Sequence, residues 1–275
     1  MPQIYVTQGL ASGTVSLAPN VAAGIGTLVS PTSLVATQLP NSVSGIGCSS
    51  TGFLLASPVV PQAAITTDQN FGTLEYGDPY PSDWARTLTL CQEATASIPV
   101  PNSTSTATFL LVDTATVAPS STPLAPVVLP VQNPIIDSAG SLFGATAANS
   151  NIVTLNWTAP TGTVPFAYTV RVYVQTTVEG EQSYTGTGAA FSTSATSITL
   201  PPLAGGNTYV FALTADADGN ANIQTSPYRS ALPTGYATVV SGPVTISSAE
   251  QMPAIHGDRS IIERFSRPLS HDSSH

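Results

Sequence analysis

The chain has 275 residues, 24 of them Pro and 21 Gly, and a formal net charge of −9. Its 42% apolar content allows a packed core, and its acidic balance gives no electrostatic footprint for nucleic acid. There is no Lys, and every His lies at or after His256. Residues 1–255 therefore lack both the imidazole of a Ser-His-Asp site and the lysine of a phosphate-binding loop. We expect no enzyme and no bound cofactor, although a pair of carboxylates acting as a glycosidase stays formally open.

Residues 1–118 are predicted to form a β-rich module that need not be complete at its start. Residues 33–36 and 87–90 alternate polar and apolar side chains, which is typical of half-buried strands. The start lacks the charged and apolar segments of a signal peptide. No window reaches 18 consecutive apolar residues, so we expect no membrane span.

The two cysteines, Cys48 and Cys91, both fall in this module. A disulfide between them would stabilise the fold by about 4 kcal/mol in the chain-entropy description. The alternative is a pair of buried, reduced thiols in a cytosolic protein. The composition of small and polar residues resembles that of secreted chains. We therefore expect an extracellular or cell-envelope location and favour the disulfide.

Aromatic side chains alternate with carboxylates within residues 71–84. Tyr76, Tyr80 and Trp84 are the aromatics, and rings beside carboxylates bind sugars through stacking and hydrogen bonds. The alternative is a Pro-rich loop whose aromatics cover one end of a sandwich. Carbohydrate binding by these three residues is therefore a hypothesis, and their geometry must decide it.

Five prolines within residues 117–134 predict an extended linker that runs into an edge strand. The stretch that follows, to about residue 247, is again rich in strand patterns. Val153, Leu155 and Trp157 share one face of a strand, and Pro160 ends that strand. In the following run 168–174, Arg171 and Tyr173 are expected to point outward, and in the run 208–213 Tyr209, Phe211 and Leu213 share one face.

The order of these strands resembles a fibronectin type III domain over about residues 120–247. Trp157 on the second strand, Tyr168 on the third and the pair Leu203 and Tyr209 match that family's pattern. The resemblance implies an immunoglobulin-like sandwich with these four residues as its structural core. It also implies a tyrosine corner, in which the Tyr209 phenol bonds back to the crossing backbone.

Asp216, Asp218 and Asn220 place oxygen ligands at alternate positions, as calcium-binding loops do. The alternative is an ordinary turn after the strand, in which Asp218 and Gly219 supply the positive φ. We predict no catalytic or cofactor site and keep calcium as a weaker hypothesis.

The complete prediction is an all-β chain with two β-sandwich modules, 1–118 and 119–248, and a flexible tail at 249–275. Around Ile261 the tail has a short amphipathic pattern, which fits either a partner-docking helix or a disordered end. We expect a non-catalytic extracellular or cell-surface structural or adhesion module that binds a protein or a polysaccharide. The alternative is an accessory carbohydrate-binding module of a secreted enzyme.

Overall fold

The computed structural model describes residues 3–6, 11–12, 28–38, 53–56, 69–70, 74–77, 87–117, 127–137, 140–226 and 231–247. Within those ranges the regular structure is β-strand, and no helix occurs. The prediction of an all-β fold is therefore confirmed for this part of the chain. The tail at 249–275 lies outside the described residues, so its flexibility stays a prediction.

Eight strands precede the Pro-rich segment. They are β1 (Gln3–Val6), β2 (Ala11–Ser12), β3 (Leu28–Gln38), β4 (Phe53–Ala56), β5 (Gln69–Asn70), β6 (Leu74–Gly77), β7 (Thr87–Pro99) and β8 (Thr106–Val117). β1 pairs with β6 and β2 with β5 in two small antiparallel sheets. β7 and β8 form a long antiparallel hairpin, and β3 pairs with the outer edge of β7.

Ten strands follow the Pro-rich segment. They are β9 (Gln132–Ile136), β10 (Gly140–Ser141), β11 (Thr146–Ala148), β12 (Thr154–Thr158), β13 (Ala167–Val178), β14 (Glu181–Thr193), β15 (Ser197–Thr199), β16 (Thr208–Asp218), β17 (Thr234–Val240) and β18 (Val244–Ile246). One sheet has the order β10-β9-β12-β15. In the other, β16 pairs with β13 on one edge and with β17 and β18 on the opposite edge.

These two sheets enclose the core. Leu155 and Trp157 from β12 are buried with Val170 from β13 and Phe211 from β16 in one cluster of apolar side chains. The alternation predicted for β12 is confirmed, because Val153, Leu155 and Trp157 are buried and the side chains between them are less so. This arrangement is consistent with a β-sandwich.

The sheet that contains β16 continues into the N-terminal half of the chain. β8 pairs antiparallel with β17, with Tyr236 opposite Thr114 and Ala237 opposite Asp113. The Tyr236 backbone N–H also donates to Thr114 Oγ1 at 3.2 Å. β7, β3 and β4 extend the same ladder, so ten strands belong to one sheet. The division into modules at 118 and 119 stays a prediction, but hydrogen bonds cross it.

The tip of the β7–β8 hairpin, residues 99–109, lies against β13 and β14. Phe109 packs edge-on against Tyr173 with ring centroids 5.1 Å apart. The Tyr184 hydroxyl donates to the Pro99 carbonyl at 3.2 Å, and the Gln175 amide donates to the Pro101 carbonyl at 3.1 Å. The hairpin therefore contacts the face of β13 and β14 that carries Tyr173, which is the face turned away from the sandwich core.

β16 is buried on both of its faces as a result. Tyr209, Phe211 and Leu213 face the core, as their spacing predicts. Val210 and Ala212 point the opposite way and are buried as well. A strand covered on one side alternates between buried and exposed residues, and the continuous burial of β16 marks a second covering layer.

The Pro-rich segment is described from Val127 onward. Val128 and Val131 are each 1% exposed and belong to the main core cluster. This part of the segment is therefore packed within the fold. Residues 118–126, the remainder of the predicted linker, lie outside the described residues.

Gly235 permits the close approach of β8 to β17. A Cβ added at this position would collide with the Thr114 carbonyl oxygen and would lie 2.9 Å from Val127 Cβ. Any side chain would have to push β8 and the Val127 segment outward. The pairing of the hairpin with the sandwich therefore requires glycine here.

Trp157→Ala should unfold the sandwich or bring it close to unfolding. Removing a large buried aromatic side chain costs about 3–5 kcal/mol, against a typical total stability of about 5–15 kcal/mol. Thermal melting followed by circular dichroism measures the effect. Ile152→Ala is the control, because Ile152 is 50% exposed and should change the midpoint little. Equal midpoints for the two variants would contradict a core role for Trp157.

Gly235→Ala should destabilise the chain by about 1–3 kcal/mol, the usual cost of forcing a group into packed space. Gly144→Ala is the matched control, because a Cβ there meets nothing within 4 Å. Urea unfolding of both variants measures the difference. If Gly235→Ala unfolds at the same urea concentration as Gly144→Ala, the tight β8–β17 contact is wrong.

Candidate functional site

A groove of about 500 Å³ lies between β8 and the outer face of the sandwich sheet. We call it the outer groove. Its floor is formed by β13, β14, β16 and β17, and its wall by residues 107–110 and Val112 of β8. The polar side chains that line it are Thr108, Arg171, Tyr173, Ser183, Tyr184, Thr214, Asp216, Tyr236 and Thr238.

The outer groove lies between two contacts of the hairpin with the sheet. At one end β8 pairs with β17, from Asp113 to Thr116. At the other end the hairpin tip meets Tyr173 and Tyr184. Between these contacts β8 is not paired with β17, and the small side chains of β16 and β17 leave space beneath it.

Asp216 is a partly buried carboxyl that lines the groove. Thr169 Oγ1 donates a hydrogen bond to its Oδ2 at 3.2 Å. Burial raises the pKa of Asp216 to about 6, and the Thr169 hydrogen bond and the positive charge of Arg171 oppose that rise. Arg171 lines the same groove and is itself exposed. The groove therefore holds one carboxyl and one guanidinium among neutral hydroxyls.

Three aromatic rings form one end of the groove. Phe109 packs edge-on against Tyr173, and its ring centroid lies 6.0 Å from that of Tyr184. Burial raises the pKa of Tyr184 to about 12, so its hydroxyl stays protonated and donates to Pro99. These contacts fix the ring positions, so the aromatic end of the groove is preformed.

Asp113 is a second buried carboxyl, and it lies on the other face of the sheet. It is 4% exposed, and its Oδ2 is buried without a hydrogen-bond partner. It pairs with Ala237, which pairs with Ala215, whereas Asp216 pairs with Tyr236. Opposed residues share a face, so Asp113 and Asp216 lie on opposite faces of the sheet. Burial raises the pKa of Asp113 well above its usual value.

The calcium candidates are not all in one loop. Asp216 lies within β16 and lines the outer groove. Asp218 Oδ1 accepts hydrogen bonds from the backbone N–H groups of Asn220 and Ala231, at 3.2 and 3.0 Å. The carboxylate of Asp218 thus ties the two ends of the loop together. Neither Asp218 nor Gly219 has the positive φ that the turn alternative assigns to them. Among the described residues, no group of three or more His, Cys, Asp or Glu could hold a metal ion.

The N-terminal candidates are described only in part. Tyr76 lies in β6, but its side chain, like all of Tyr80 and Trp84, lies outside the described residues. Sugar binding by these three aromatics therefore stays a prediction. Cys91 is buried in β7 and is disulfide-bonded. Cys48 lies outside the described residues, so its pairing with Cys91 stays a prediction as well.

The four residues predicted for the structural core lie together. Trp157 and Tyr168 are buried and pack edge-to-face with ring centroids 5.2 Å apart. Leu203 is partly buried against the same cluster. Tyr209 is 4% exposed, and its hydroxyl donates to the Ala204 carbonyl at 3.1 Å.

The outer groove was missed by the sequence interpretation. Alternation placed Arg171 and Tyr173 on the outward face of β13, but it gave no sign that a hairpin would cover that face. One feature of the sequence could have indicated the groove: Val210 and Ala212, which lie between the core positions of β16, are also apolar. A strand with apolar residues at successive positions requires cover on both faces.

No helix in the described part of the chain is long and apolar enough to cross a membrane. No protein-family model matches this chain, and no curated protein matches it significantly. The groove and the fold must therefore be interpreted from their own geometry.

The buried carboxyls predict a pH dependence of stability. The folded-state pKa of Asp113 is raised above its unfolded value, so the folded chain holds this proton more tightly. Stability should therefore fall as the pH rises above about 4, because ionisation charges an unpaired buried group. Asp113→Asn cannot ionise and should lose less stability between pH 4 and pH 7. Urea unfolding at a series of pH values measures this.

Glu181→Gln is the control for that series, because it removes one carboxyl from an exposed position in β14. Its pH profile should match that of the parent chain. If the Asp113→Asn profile also matches the parent, then Asp113 does not ionise in an unfavourable buried site.

Proposed function

We propose that the chain is a non-catalytic structural or adhesion module of an extracellular or cell-surface protein. Its C-terminal part, residues 119–248, is a fibronectin type III-like domain in this proposal. The partner is a protein or a polysaccharide surface. The supporting observations come from the strand order, the tyrosine corner, the placement of the carboxyls and the burial of the aromatics.

The strand order supports the immunoglobulin-like part of the proposal. In such sandwiches the first, second and fifth strands lie in one sheet and the third, sixth and seventh in the other. Here β9, β12 and β15 share one sheet, and β13, β16 and β17 belong to the other. The strand between β13 and β15, β14, pairs with β13. The short strands β10 and β11 are additions to this order.

The hydrogen bond from Tyr209 to Ala204 supports the finer fibronectin type III assignment. It joins the start of β16 to the backbone that crosses from β15, which is the geometry of a tyrosine corner. Trp157 and Tyr168 lie in contact beneath it in the same core. The residues on which the resemblance was based therefore belong to one apolar core or pack against it.

The placement of Asp113 and Asp216 argues against a glycosidase pair formed by these two carboxyls. A glycosidase needs two carboxyl groups on either side of one bond, within about 5–10 Å of each other. Asp113 and Asp216 are the carboxyls whose pKa values are raised in the described part of the chain. Because they lie on opposite faces of one sheet, they cannot act on the same substrate bond.

The observation that carries the structural proposal is the burial of the aromatic side chains. Each described Trp, Tyr and Phe side chain is at least partly buried. The large apolar side chains that are exposed are aliphatic: Leu110, Ile152, Val164, Val178 and Leu232. A flat, exposed aromatic platform would favour sugar binding, and the described surface carries none.

One observation favours the alternative, an accessory carbohydrate-binding module. Tyr173 and Tyr184 are only partly buried and line the outer groove beside hydroxyl groups. Such a recess differs from an open platform and would hold a short ligand instead of a polymer surface.

Tyr209→Phe should lower the free energy of unfolding by about 0.5–1.5 kcal/mol, the net contribution of one hydrogen bond. Chemical unfolding of full-length protein gives this value. Tyr184→Phe is the comparison, since its hydroxyl also donates to a backbone carbonyl but in an exposed setting, and it should cost less. A Tyr209→Phe variant as stable as the parent would weigh against the tyrosine corner.

The function itself is tested with the organism that makes the chain. An antibody raised against the chain should label intact, unpermeabilised cells or the surrounding medium. Purified chain should not hydrolyse a panel of chromogenic glycosides and esters. Labelling only after permeabilisation would contradict the location. Turnover that disappears in Asp216→Asn would contradict the non-catalytic role.

A further inference from the structure

We propose that the outer groove is a binding site for a short, neutral saccharide. This goes beyond the structural role, because a module can hold surfaces apart without binding any small molecule. The groove is preformed, its volume is about 500 Å³, and small-ligand sites generally fall between about 300 and 1,000 Å³.

The hydrogen-bonding groups of the groove match a hydroxyl-rich ligand. A sugar hydroxyl both donates and accepts, and the groove offers groups of each kind. The hydroxyl of Ser183 can do either. Those of Thr214 and Thr238 bond to each other at 2.9 Å, so this pair keeps one free O–H and its remaining acceptor lone pairs. Arg171 only donates, whereas an ionised Asp216 only accepts. Thr169 uses one oxygen of Asp216, and in the described part of the chain no donor bonds the other.

The charges of the groove select a neutral ligand over an ion. Arg171 and Asp216 carry opposite charges in the same recess, so neither an anion nor a cation is favoured by both. The net charge of −9 on the chain repels anions at long range. A polyhydroxylated neutral molecule satisfies both groups without introducing a third charge.

The aromatic end of the groove supplies the apolar contact that a sugar ring needs. Tyr173 and Tyr184 are held in place by Phe109 and by the hydrogen bond to Pro99. Pyranose rings carry C–H faces that pack on aromatic rings, while their hydroxyls reach the polar groups along the edge. The groove presents both kinds of surface side by side.

Isothermal titration of the full-length chain tests the proposal, with maltotriose, cellotriose and xylotriose as probes at up to roughly 5 mM, where millimolar affinities are detectable. Trigalacturonic acid is the charged comparison. We expect at least one neutral trisaccharide to bind and the acidic one to bind more weakly. No binding by any neutral probe overturns the proposal, and so does tighter binding of the acidic probe.

Three variants locate the site. Asp216→Asn and Arg171→Gln should each weaken binding about tenfold, the typical loss on removing a charged hydrogen-bond partner. Ser183→Trp should abolish binding by filling the groove. Glu181→Gln is the matched control on the same strand as Ser183, and its affinity should equal that of the parent. Binding that all four variants leave unchanged places the saccharide elsewhere and overturns the proposal.

The saccharide proposal and the structural proposal can fail independently of each other. A chain that binds no saccharide but is found at the cell surface, with no turnover, leaves the structural role intact. If the chain binds saccharide in the groove but is found only inside cells, that result contradicts only the proposed location.

Discussion

The close contact between Gly235 and the Thr114 carbonyl is the constraint on which the described architecture depends. A glycine at this position lets β8 reach hydrogen-bonding distance of β17. Once β8 is paired there, the hairpin is carried across the outer face of the sandwich sheet. Its tip then meets Tyr173, and the outer groove is left between the two contacts.

This addition changes the energetics of the central strand. β16 buries Phe211 and Leu213 on one face and Val210 and Ala212 on the other. Each fully buried Val, Leu or Phe side chain contributes about 1.5–3 kcal/mol relative to exposure, and the single methyl group of Ala212 contributes less. The same closure has a cost, because it buries Asp113 with an unpaired carboxylate oxygen. The hairpin is thus held by apolar burial and hydrogen bonds, and weakened by one buried acid.

Much of the sandwich could be predicted from the sequence, because the alternation of polar and apolar residues along a strand shows which side chains face the core. The shared buried face of Val153, Leu155 and Trp157 was predicted correctly, with Val153 directly before β12. The core face of Tyr209, Phe211 and Leu213 on β16 was predicted correctly as well. The resemblance supplied the Tyr209 hydrogen bond, whose partner lies only five residues away. Both features are local: side chains alternate between the two faces of a strand, and the hydrogen bond joins residues that are near in sequence.

The outer groove could not be predicted in the same way. Asp216 appeared to be a loop ligand for calcium, because nothing local shows that β16 continues to Asp218. The wall of the groove comes from β8, about a hundred residues earlier in the chain. Strand pairing between distant segments depends on which edges are free and on residues such as Gly235. Alternation within one strand does not encode that choice.

The central claim is that the N-terminal hairpin is part of the sandwich sheet. Nuclear Overhauser contacts in the isotope-labelled full-length chain test it most directly. The account predicts backbone contacts between β8 and β17, such as Thr114 with Tyr236, and ring contacts between Phe109 and Tyr173. These should appear together with the core contact between Trp157 and Tyr168. A spectrum with the core contact but without the hairpin contacts would contradict the account.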